Sequence, residues 1–451
     1  MKYKNILLAL AGVVFYAFGQ LQYVLLLLVS VLINYTAGLM ISRRSFSSKA
    51  VLTIAVVINL AILGVYKYTD FIISNINSLF GSNIPMSGII LPIGISFFTF
   101  QGISYVIDVY HEPDSAEKSF LKVLLYISFF PRLLAGPIVK YKDCAGQLES
   151  RRCNSKKSAE GIRRFILGLA KKLLISDVLG RIADTVFNEC MGNGTADFRL
   201  MWLGAVCYML QIYYDFSGYS DMAIGIGKMF GFMFDENFNY PYGAASIKEF
   251  WRKWHISLSS WFRDYLYIPL GGNRKGGLRA MINRLIVFLC TGIWHGANWT
   301  FVFWGICHGL LSSLEDMNII PTARLQRSKG GKIVCRIYTL LAVMLLFVIF
   351  RADSLADGFR FIGCMFSAPV SAAGDYMLSK LLTPAAVLVL IVAVAFAGNL
   401  VPNLKREYAD KLEHASVGLR SAENALALVL FLLCVFNLSK GNFSPFIYFQ
   451  F

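Results

Sequence analysis

The sequence carries little charge for its length. Asp, Glu, Lys and Arg make up 16% of its 451 residues, whereas soluble domains carry about 25%. Hydrophobic residues make up 56%, and the mean hydropathy is +0.57. So few charged side chains cannot cover the surface of a soluble protein this apolar. The composition therefore excludes an ordinary soluble domain and predicts an integral membrane protein.

Metal and redox motifs are also absent from the sequence. The nine cysteines stand singly, with no C-x-x-C pair, and no H-x-x-x-H or H-E-x-x-H pattern occurs, so we expect no metal site. The net charge of +16 comes without a nucleic-acid-binding motif. In a membrane protein, basic residues collect in cytoplasmic loops and beside anionic headgroups, so we predict no nucleic-acid partner.

Long apolar runs occur along the whole chain. Because a spanning helix needs about 20 mostly apolar residues, we predict an all-α, polytopic transmembrane bundle of about 11–12 spanning or re-entrant helices. The predicted segments are 6–18, 23–41, 51–65, 89–109, 121–138, 162–175, 200–232, 285–294, 299–314, 333–350, 382–401 and 425–438. The first is expected to be a retained span rather than a signal peptide. With no repeat and no low-complexity linker, residues 1–451 are predicted to form one domain.

Proline and glycine interrupt two of the predicted spans. Pro92 and Gly94 lie in the fourth segment, and Pro131 and Pro137 lie in the fifth. Irregular backbone survives at membrane depth only where protein or a water-filled cavity satisfies its polar groups. We therefore expect the bundle to enclose a cavity.

The fifth segment also conflicts with the positive-inside rule. If the basic residues before the third span are cytoplasmic, simple alternation places the strongly basic loop 140–157 outside. Either the number of spans is wrong by one or 121–138 re-enters the membrane. Its prolines favour re-entry, and the topology of 121–157 stays open.

His295 is the strongest single candidate for chemistry. It lies in IWHG (293–296), between two apolar runs, within the polar-rich region 211–309. An ionisable side chain at membrane depth is costly and usually faces a cavity or a partner. An imidazole takes and returns a proton near neutral pH, and Gly292 and Gly296 allow another backbone or a ligand to approach. The alternative is an interhelical packing hydrogen bond.

His255 ends an aromatic and basic segment, FWRKWH (250–255). Such a segment often lies in the membrane interface, with a tryptophan such as Trp254 at headgroup depth. From the residues alone, this interfacial anchor is the favoured interpretation of His255.

Other polar side chains also lie in apolar surroundings. Asp215 and Asp221 are expected to orient a histidine or hold an arginine, or else to cap helix ends. Arg263 follows Trp and Phe and precedes an aspartate, which suggests partial burial with pairing. For His308, a functional role and an interhelical hydrogen bond are both open.

The segment 211–309 closely resembles the membrane-bound O-acyltransferases (MBOAT), in particular the bacterial branch of alginate O-acetyltransferases and related polysaccharide O-acetylation proteins. The strings that carry the resemblance are YYDFSGYSDMAIGIGKMFGF, NFNYPY, EFWRKWHISLSSWFRDYLYIPLGG and IWHGANWTFVFWGICHG. Upstream, LPIGISFFTFQGISYVIDVY and LLAGPIVKY look similar to that branch, as does the closing PFIYFQF (445–451). The resemblance covers nearly the whole chain and implies an MBOAT-type bundle that encloses a tunnel.

The resemblance also implies chemistry. The family transfers acyl groups from thioester donors to hydroxyl groups, so an acyltransferase with acetyl-CoA as donor and no bound cofactor is expected. The family's hallmark histidine matches His295, and its second polar position matches His255, which replaces the anchor interpretation. We expect His295 to be a general base and His255 to orient the donor or stabilise developing charge. Arg252, Lys253 and Arg263 are expected near the CoA phosphates. The possible supporting residues are His308, Asp215, Asp221 and Trp254.

In this branch the acetyl group passes across or into a bacterial cell (inner or plasma) membrane for O-acetylation of an extracytoplasmic cell-surface polysaccharide. A separate extracytoplasmic transferase, often SGNH-hydrolase-like, completes the reaction. The largest polar stretch of this chain, 139–161, is too short for such a domain. The resemblance therefore implies a partner polypeptide.

Two alternatives remain open at this point. D-alanyl transfer to teichoic acid uses a membrane component with similar W-H and I-W-H-G strings, although the continuation FRDYLYIPLGGNR favours the acetylation branch. A membrane transporter also has broken helices and intramembrane charge, but the hydropathy pattern shows no inverted repeat. Whether an acyl-enzyme forms is also open.

Overall fold

The computed structural model describes residues 1–44, 46–190, 196–274, 276–398, 417–441 and 444–446. Across these ranges the regular structure is helical, without a β-strand. The helices are α1 (Lys2–Gln20), α2 (Val24–Arg43), α3 (Ser48–Phe80), α4 (Ile95–His111), α5 (Phe120–Ser128), α6 (Phe130–Leu133), α7 (Tyr141–Glu149), α8 (Ser155–Ala170), α9 (Asp177–Thr185), α10 (Phe198–Met229), α11 (Ile247–Lys253), α12 (Ile256–Phe262), α13 (Gly277–His295), α14 (Trp299–Asp316), α15 (Thr322–Leu325), α16 (Lys329–Arg351), α17 (Leu355–Ser367), α18 (Ala372–Leu381), α19 (Pro384–Ala397) and α20 (Val417–Ser439). Wider π-helical turns follow α8 at Lys171–Ser176, α9 at Val186–Cys190 and α12 at Arg263–Tyr267.

Within the described ranges, five helical stretches are long and apolar enough to cross a membrane. They are α1 with α2 (Lys2–Arg43), α3, α13, α16 and Ser421–Ser439 of α20. α18 and α19 together form a further candidate, bent by 76° at their break. Only 22% of the apolar window of α3 is buried inside the protein. Long apolar helices that expose apolar faces require lipid as solvent, so this is a multi-pass membrane protein.

The candidate spans are fewer than the predicted segments because several predicted segments form helices that are shorter or more polar. The predicted segment 89–109 corresponds to α4, which has 17 residues. The predicted segment 200–232 corresponds to α10, a single helix of 32 residues that carries buried aspartates. The predicted all-α, polytopic class is confirmed.

The predicted interruption of 121–138 is confirmed. α5 ends at Ser128, α6 has only four residues, and residues 134–140 are not helical. Pro131 lies in the first turn of α6, where a missing backbone N–H costs little. Gly136 has a φ of +96°, which favours glycine at that position. Re-entry of this segment into the membrane stays a prediction.

The chain divides into two compact units. The first comprises Met1–Gly161, Ile226–Asp235 and Ser260–Pro269. In it, α2 and α3 are joined by reciprocal amide hydrogen bonds, Asn34 Nδ2 to Asn59 Oδ1 at 3.1 Å and Asn59 Nδ2 to Asn34 Oδ1 at 3.0 Å. Hydrogen bonds of this kind join helices in membrane bundles.

The second unit comprises Ile162–Gly225, Glu236–Ser259 and Leu270–Phe451. Its aromatic core is formed by side chains of α10, α11, α14 and α16, among others. The central segment 211–309 contributes to both units, and the prediction of one domain over 1–451 stays a prediction.

In the second unit, α13 and α14 pack closely because glycines lie at their contact. A Cβ on Gly292 would lie 2.3 Å from Phe301 O, and a Cβ on Gly305 would lie 2.4 Å from Phe288 O. The predicted close approach of backbone at Gly292 is therefore confirmed. The contact sets the end of α13, and with it His295, against the start of α14.

Candidate active site

Helix α11 is held at its N-terminus by two side chains. Ser246 is its N-cap and accepts a hydrogen bond from Glu249 N at 3.0 Å. Glu315 of α14 accepts hydrogen bonds from the backbone N–H groups of Ile247 at 2.8 Å and Lys248 at 3.1 Å. A carboxylate at this end satisfies the first N–H groups and complements the helix dipole. The helix that leads to His255 is thus anchored to α14.

His255 lies in the turn between α11 and α12 and is fully buried. Its φ of +44° is in the left-handed region, which is uncommon for residues other than glycine. Two backbone hydrogen bonds flank the turn: Ile256 N donates to Asn237 O, and Asn239 N donates to Lys253 O, both at 2.9 Å. Residues 237–239 therefore hold this strained turn in place.

The side chain of Asn237 extends these contacts to the imidazole. Its Oδ1 lies 3.2 Å from His255 Nδ1 and accepts hydrogen bonds from Ser257 N at 3.2 Å and Ser257 Oγ at 2.8 Å. Its Nδ2 donates to Ser220 Oγ at 3.0 Å. The amide thus links His255 to α10, on which Ser220 lies.

Burial determines the charge of His255, which lies outside the candidate spans. Removal from water lowers the pKa of the His255 imidazole to about 3, because the charged form is disfavoured in a buried environment. The side chain is therefore neutral at physiological pH. A neutral imidazole has one lone pair with which to accept a proton or a hydrogen bond.

His295 ends α13 and lies in a cage of aromatic rings. Its ring centroid lies 5.1 Å from those of Trp294 and Trp304 and 5.2 Å from that of Phe350. The three interplanar angles are 72°, 88° and 80°, which are edge-to-face arrangements favoured by aromatic quadrupoles. These contacts hold the plane of an imidazole that is 5% exposed.

Trp294 contacts both of the predicted catalytic histidines. Its ring centroid is 6.1 Å from that of His255 and 5.1 Å from that of His295. The two histidines come from different elements, one from the turn before α12 and the other from the end of α13. The structure therefore brings them together around a shared neighbour.

His308 makes the interhelical contact that was one of its two predicted roles. Its Nδ1 accepts a hydrogen bond from Trp251 Nε1 at 3.2 Å, which joins α14 to α11. Its ring also lies 4.8 Å from Trp304, the residue that contacts His295. His308 is thus one ring away from His295, and a role in the reaction stays a prediction.

Trp254 lies in the aromatic core rather than at the membrane interface. It is 2% exposed and contacts the rings of Phe238, Phe250 and Phe347 at 5.1 to 5.4 Å. The interfacial-anchor interpretation of this segment is therefore wrong. The sequence pattern suggested it because alternating aromatic and basic residues are also typical of interfaces.

The predicted donor-binding cations lie near the surface. Arg252 is exposed, and Lys253 Nζ forms an ion pair with Glu249 at 2.7 Å. Arg263, which belongs to the first unit, pairs with Asp264 at 2.8 Å and leaves 61% of its side chain exposed. The predicted pairing is confirmed, and the predicted partial burial holds for Asp264, whose side chain is 14% exposed, whereas most of the Arg263 side chain remains exposed beside its partner.

Asp215 and Asp221 lie inside α10, so the prediction that they cap helix ends is wrong. Asp221 pairs with Arg164 at 2.6 Å and with Lys171 at 2.7 Å, as the alternative prediction of a bound arginine required. Asp215 pairs with Lys172 at 2.6 Å. Both carboxylates are buried, and burial of a carboxylate requires such partners.

Lys172 and Asn237 are buried polar residues that the sequence did not single out. Lys172 pairs with Asp177 at 2.9 Å as well as with Asp215, and its Nζ lies 3.2 Å from Ser444 Oγ near the C-terminus. Asn237 lies in the string NFNYPY and Lys172 in a basic stretch, but neither position shows by itself which residue it contacts, so only their partners in space reveal their roles. Of the closing string 445–451, residues 447–451 lie outside the described part of the chain.

No group of three His, Cys, Asp or Glu side chains among the described residues is placed to hold a metal ion. The side chains near Trp294 are instead imidazoles, indoles and phenyl rings, with neutral amides and hydroxyls behind His255. Of these groups, the imidazoles are the ones that can take up and return a proton. The arrangement is therefore a candidate active site within a membrane protein.

Comparison with known proteins identifies the class. Residues 112–355 match the sequence model of the membrane-bound O-acyltransferase family, MBOAT. The chain is 40% identical to the probable alginate O-acetylase AlgI of Pseudomonas putida, over all of this chain and 95% of that protein. It is 36% identical to the peptidoglycan O-acetyltransferase of Helicobacter pylori, over 79% of this chain and 73% of that protein.

A third relative is more distant. The teichoic acid D-alanyltransferase of Bacillus subtilis is 27% identical over 50% of this chain and 59% of that protein. The chain belongs to the membrane-bound O-acyltransferase family and is an acyltransferase. The predicted family, fold class and enzyme class are thereby confirmed.

Proposed function

We propose that this protein moves acetyl groups from cytoplasmic acetyl-CoA across or into a bacterial inner membrane for O-acetylation of an extracytoplasmic polysaccharide. Relatives named alginate or peptidoglycan O-acetylating enzymes are 36 to 42% identical to it. Relatives named teichoic acid D-alanyltransferase are 27% identical over about half of the chain. The difference supports acetyl transfer over D-alanyl transfer.

The observation that carries the proposal is the pair of buried histidines that share Trp294. His295 acts as general base: it takes the proton of an acceptor hydroxyl while the hydroxyl oxygen attacks the thioester carbonyl. The C–O bond of the new ester forms, the C–S bond breaks, and the CoA thiolate takes the proton from His295. The aromatic cage supports this role because it holds the imidazole plane and excludes water.

His255 orients the donor from the other side of Trp294. Its neutral state favours a role in which it accepts a hydrogen bond. Trp254 and His308 support the two histidines through neighbouring aromatic rings, such as Trp304 between His308 and His295. Asp215 and Asp221 hold Lys172 and Lys171, which join α10 to the segment after α8.

The phosphates of the donor are assigned to Arg252, Lys253 and Arg263. Arg252 and Arg263 are exposed, so a phosphate reaches them without a large desolvation cost. Lys253 is a weaker candidate because Glu249 already neutralises it.

A separate extracytoplasmic, SGNH-like transferase completes the reaction on the polysaccharide. Residues 139–161, the longest polar stretch, form α7 and the start of α8. This helical stretch of 139–161 is too short to fold as an SGNH-like domain, so the proposal assigns that step to a partner polypeptide.

The proposal is tested with membrane vesicles that contain the protein and receive radiolabelled acetyl-CoA, with alkali-labile acetyl ester as the readout. His295→Ala should lower ester formation by about 10²- to 10⁴-fold. His111→Ala is the matched control, because His111 is an exposed histidine at the end of α4. Equal ester formation in both variants would overturn the assignment of His295.

The same experiment separates the rival functions. Mass analysis of the product distinguishes an acetyl ester from an amine-bearing alanyl ester. Acetyl uptake without ester formation would favour a transporter, and ester formation from D-alanyl donors alone would favour teichoic acid D-alanylation.

A further inference from the structure

Asn237 is a buried amide whose contacts determine which nitrogen of His255 carries the proton. The side chain is 1% exposed and lies in the loop that precedes α11. It contacts the imidazole, the start of α12 and α10 at once. It lies in the string NFNYPY (237–242), but no charge in the sequence marks it as a partner of His255.

The identity of the Asn237 atom that faces His255 follows from Ser257. The backbone N–H of Ser257 is a donor only, and it points at the same Asn237 atom, at 3.2 Å, as His255 Nδ1 does. That atom must therefore be the carbonyl oxygen Oδ1. The amide group Nδ2 faces Ser220 Oγ, which can accept its hydrogen.

The tautomer of His255 follows in turn. A carbonyl oxygen only accepts hydrogen bonds, so His255 Nδ1 must carry the hydrogen that it shares with Asn237. The Ser257 hydroxyl donates to the same oxygen at 2.8 Å and so cannot supply that hydrogen to the ring. A neutral imidazole has one N–H, so the lone pair is on Nε2.

The charged groups around His255 are compatible with this neutral state. The elements packed against it carry Asp215 and Asp221 on α10, Glu236 beside Asn237, and the titratable His295 on α13. The three carboxylates have basic partners. These are Lys172 for Asp215, Arg164 and Lys171 for Asp221, and Arg164 for Glu236.

We propose that Asn237 is a positioning residue that holds His255 as the Nδ1–H tautomer, with the lone pair of the imidazole on Nε2, during acetyl transfer. This inference rests on the proposed function.

Asn237→Asp and Asn237→Leu test the proposal in vesicles supplied with radiolabelled acetyl-CoA, across the range in which histidine titrates, about pH 5 to 8. Asn237→Leu removes the acceptor and should lower ester formation per folded protein by about 10- to 100-fold. Asn237→Asp keeps an acceptor opposite Nδ1 and should retain most activity at high pH. The negative charge of the new carboxylate stabilises the imidazolium form of His255. As the pH is lowered, activity should therefore begin to fall at a higher pH than in the unmodified protein.

Asn283→Leu is the matched control. Asn283 is equally buried, and its Nδ2 donates to Leu270 O and Gly272 O at 3.3 and 3.1 Å. It should lower the amount of folded protein without moving the pH profile. If Asn237→Leu does not accumulate, the shift of the pH profile in Asn237→Asp tests the proposal by itself.

An unchanged pH profile in Asn237→Asp, with a loss equal to that of the control, would overturn the proposal and leave Asn237 with a structural role. Absence of His295-dependent ester formation in the unmodified protein would instead overturn the proposed function. The two failures are thus distinguishable.

Discussion

Both units of the chain bury paired polar side chains, and the second unit also buries imidazoles. In the first unit, Asn34 pairs with Asn59 across two helices, and in the second unit Lys172 pairs with Asp215. In the second unit, titratable imidazoles are set among aromatic rings. The comparison teaches that buried polarity alone does not mark a reactive site, because mutually satisfied pairs only join helices. We expect a titratable ring enclosed by aromatic rings, such as His295, to mark one instead.

The largest expected effect separates the two kinds of buried polarity. His295→Leu should lower acetyl transfer per folded protein by about 10²- to 10⁴-fold, because the general base is lost from the site. The double variant Asn34→Leu/Asn59→Leu is the comparison, since it removes both members of a pair in the first unit. Ester formation in vesicles measures both. Equal losses would show that the distinction between the units is wrong.

The second effect concerns ion pairs within the second unit. Lys172→Met leaves Asp215 and Asp177 buried without their shared cation, and should lower the free energy of unfolding by about 3–5 kcal/mol. Lys171→Met is the control, because Lys171 is more exposed and Asp221 keeps Arg164. Thermal unfolding in detergent measures the difference. A Lys172 variant as stable as the Lys171 variant would contradict the prediction.

The third effect tests the glycine contact that places His295. Gly292→Ala puts a methyl group 2.3 Å from Phe301 O and should lower the free energy of unfolding by about 1–3 kcal/mol as α13 moves from α14. Gly363→Ala in α17 is the control, because its Cβ would meet nothing within 4 Å. Gly363→Ala should stabilise the helix by up to about 1 kcal/mol. Similar effects of both variants would refute the close contact.

The smallest expected effect lies in the first unit. Asn34→Leu/Asn59→Leu removes both partners of one interhelical pair and should change the free energy of unfolding by about 0.6 kcal/mol. Removal of both partners leaves no unsatisfied group. Asn34→Leu alone leaves the amide of Asn59 buried without its partner, so it should lower the free energy of unfolding by more than the double variant does. Unfolding in detergent measures both. A double variant less stable than the single one would contradict this account.

Several features of the protein were determined by its sequence alone. The membrane class follows from composition, because lipid is the only solvent that this apolar surface tolerates. The break at 129–140 follows from prolines, because the missing N–H is a local property. His295 and His255 were identified from strings that resemble the family, and comparison confirmed that family.

Only the tertiary structure decided which side chains meet. The pairing of Asn237 with His255, of Lys172 with Asp215, and of His255 with Trp294 joins residues from separate elements. No local pattern encodes such contacts, since they depend on how helices pack. For the same reason, Trp254 was placed at an interface by its pattern and in the core by the fold. Local chemistry identifies an imidazole, whereas the packing around it determines which polar groups its nitrogens face.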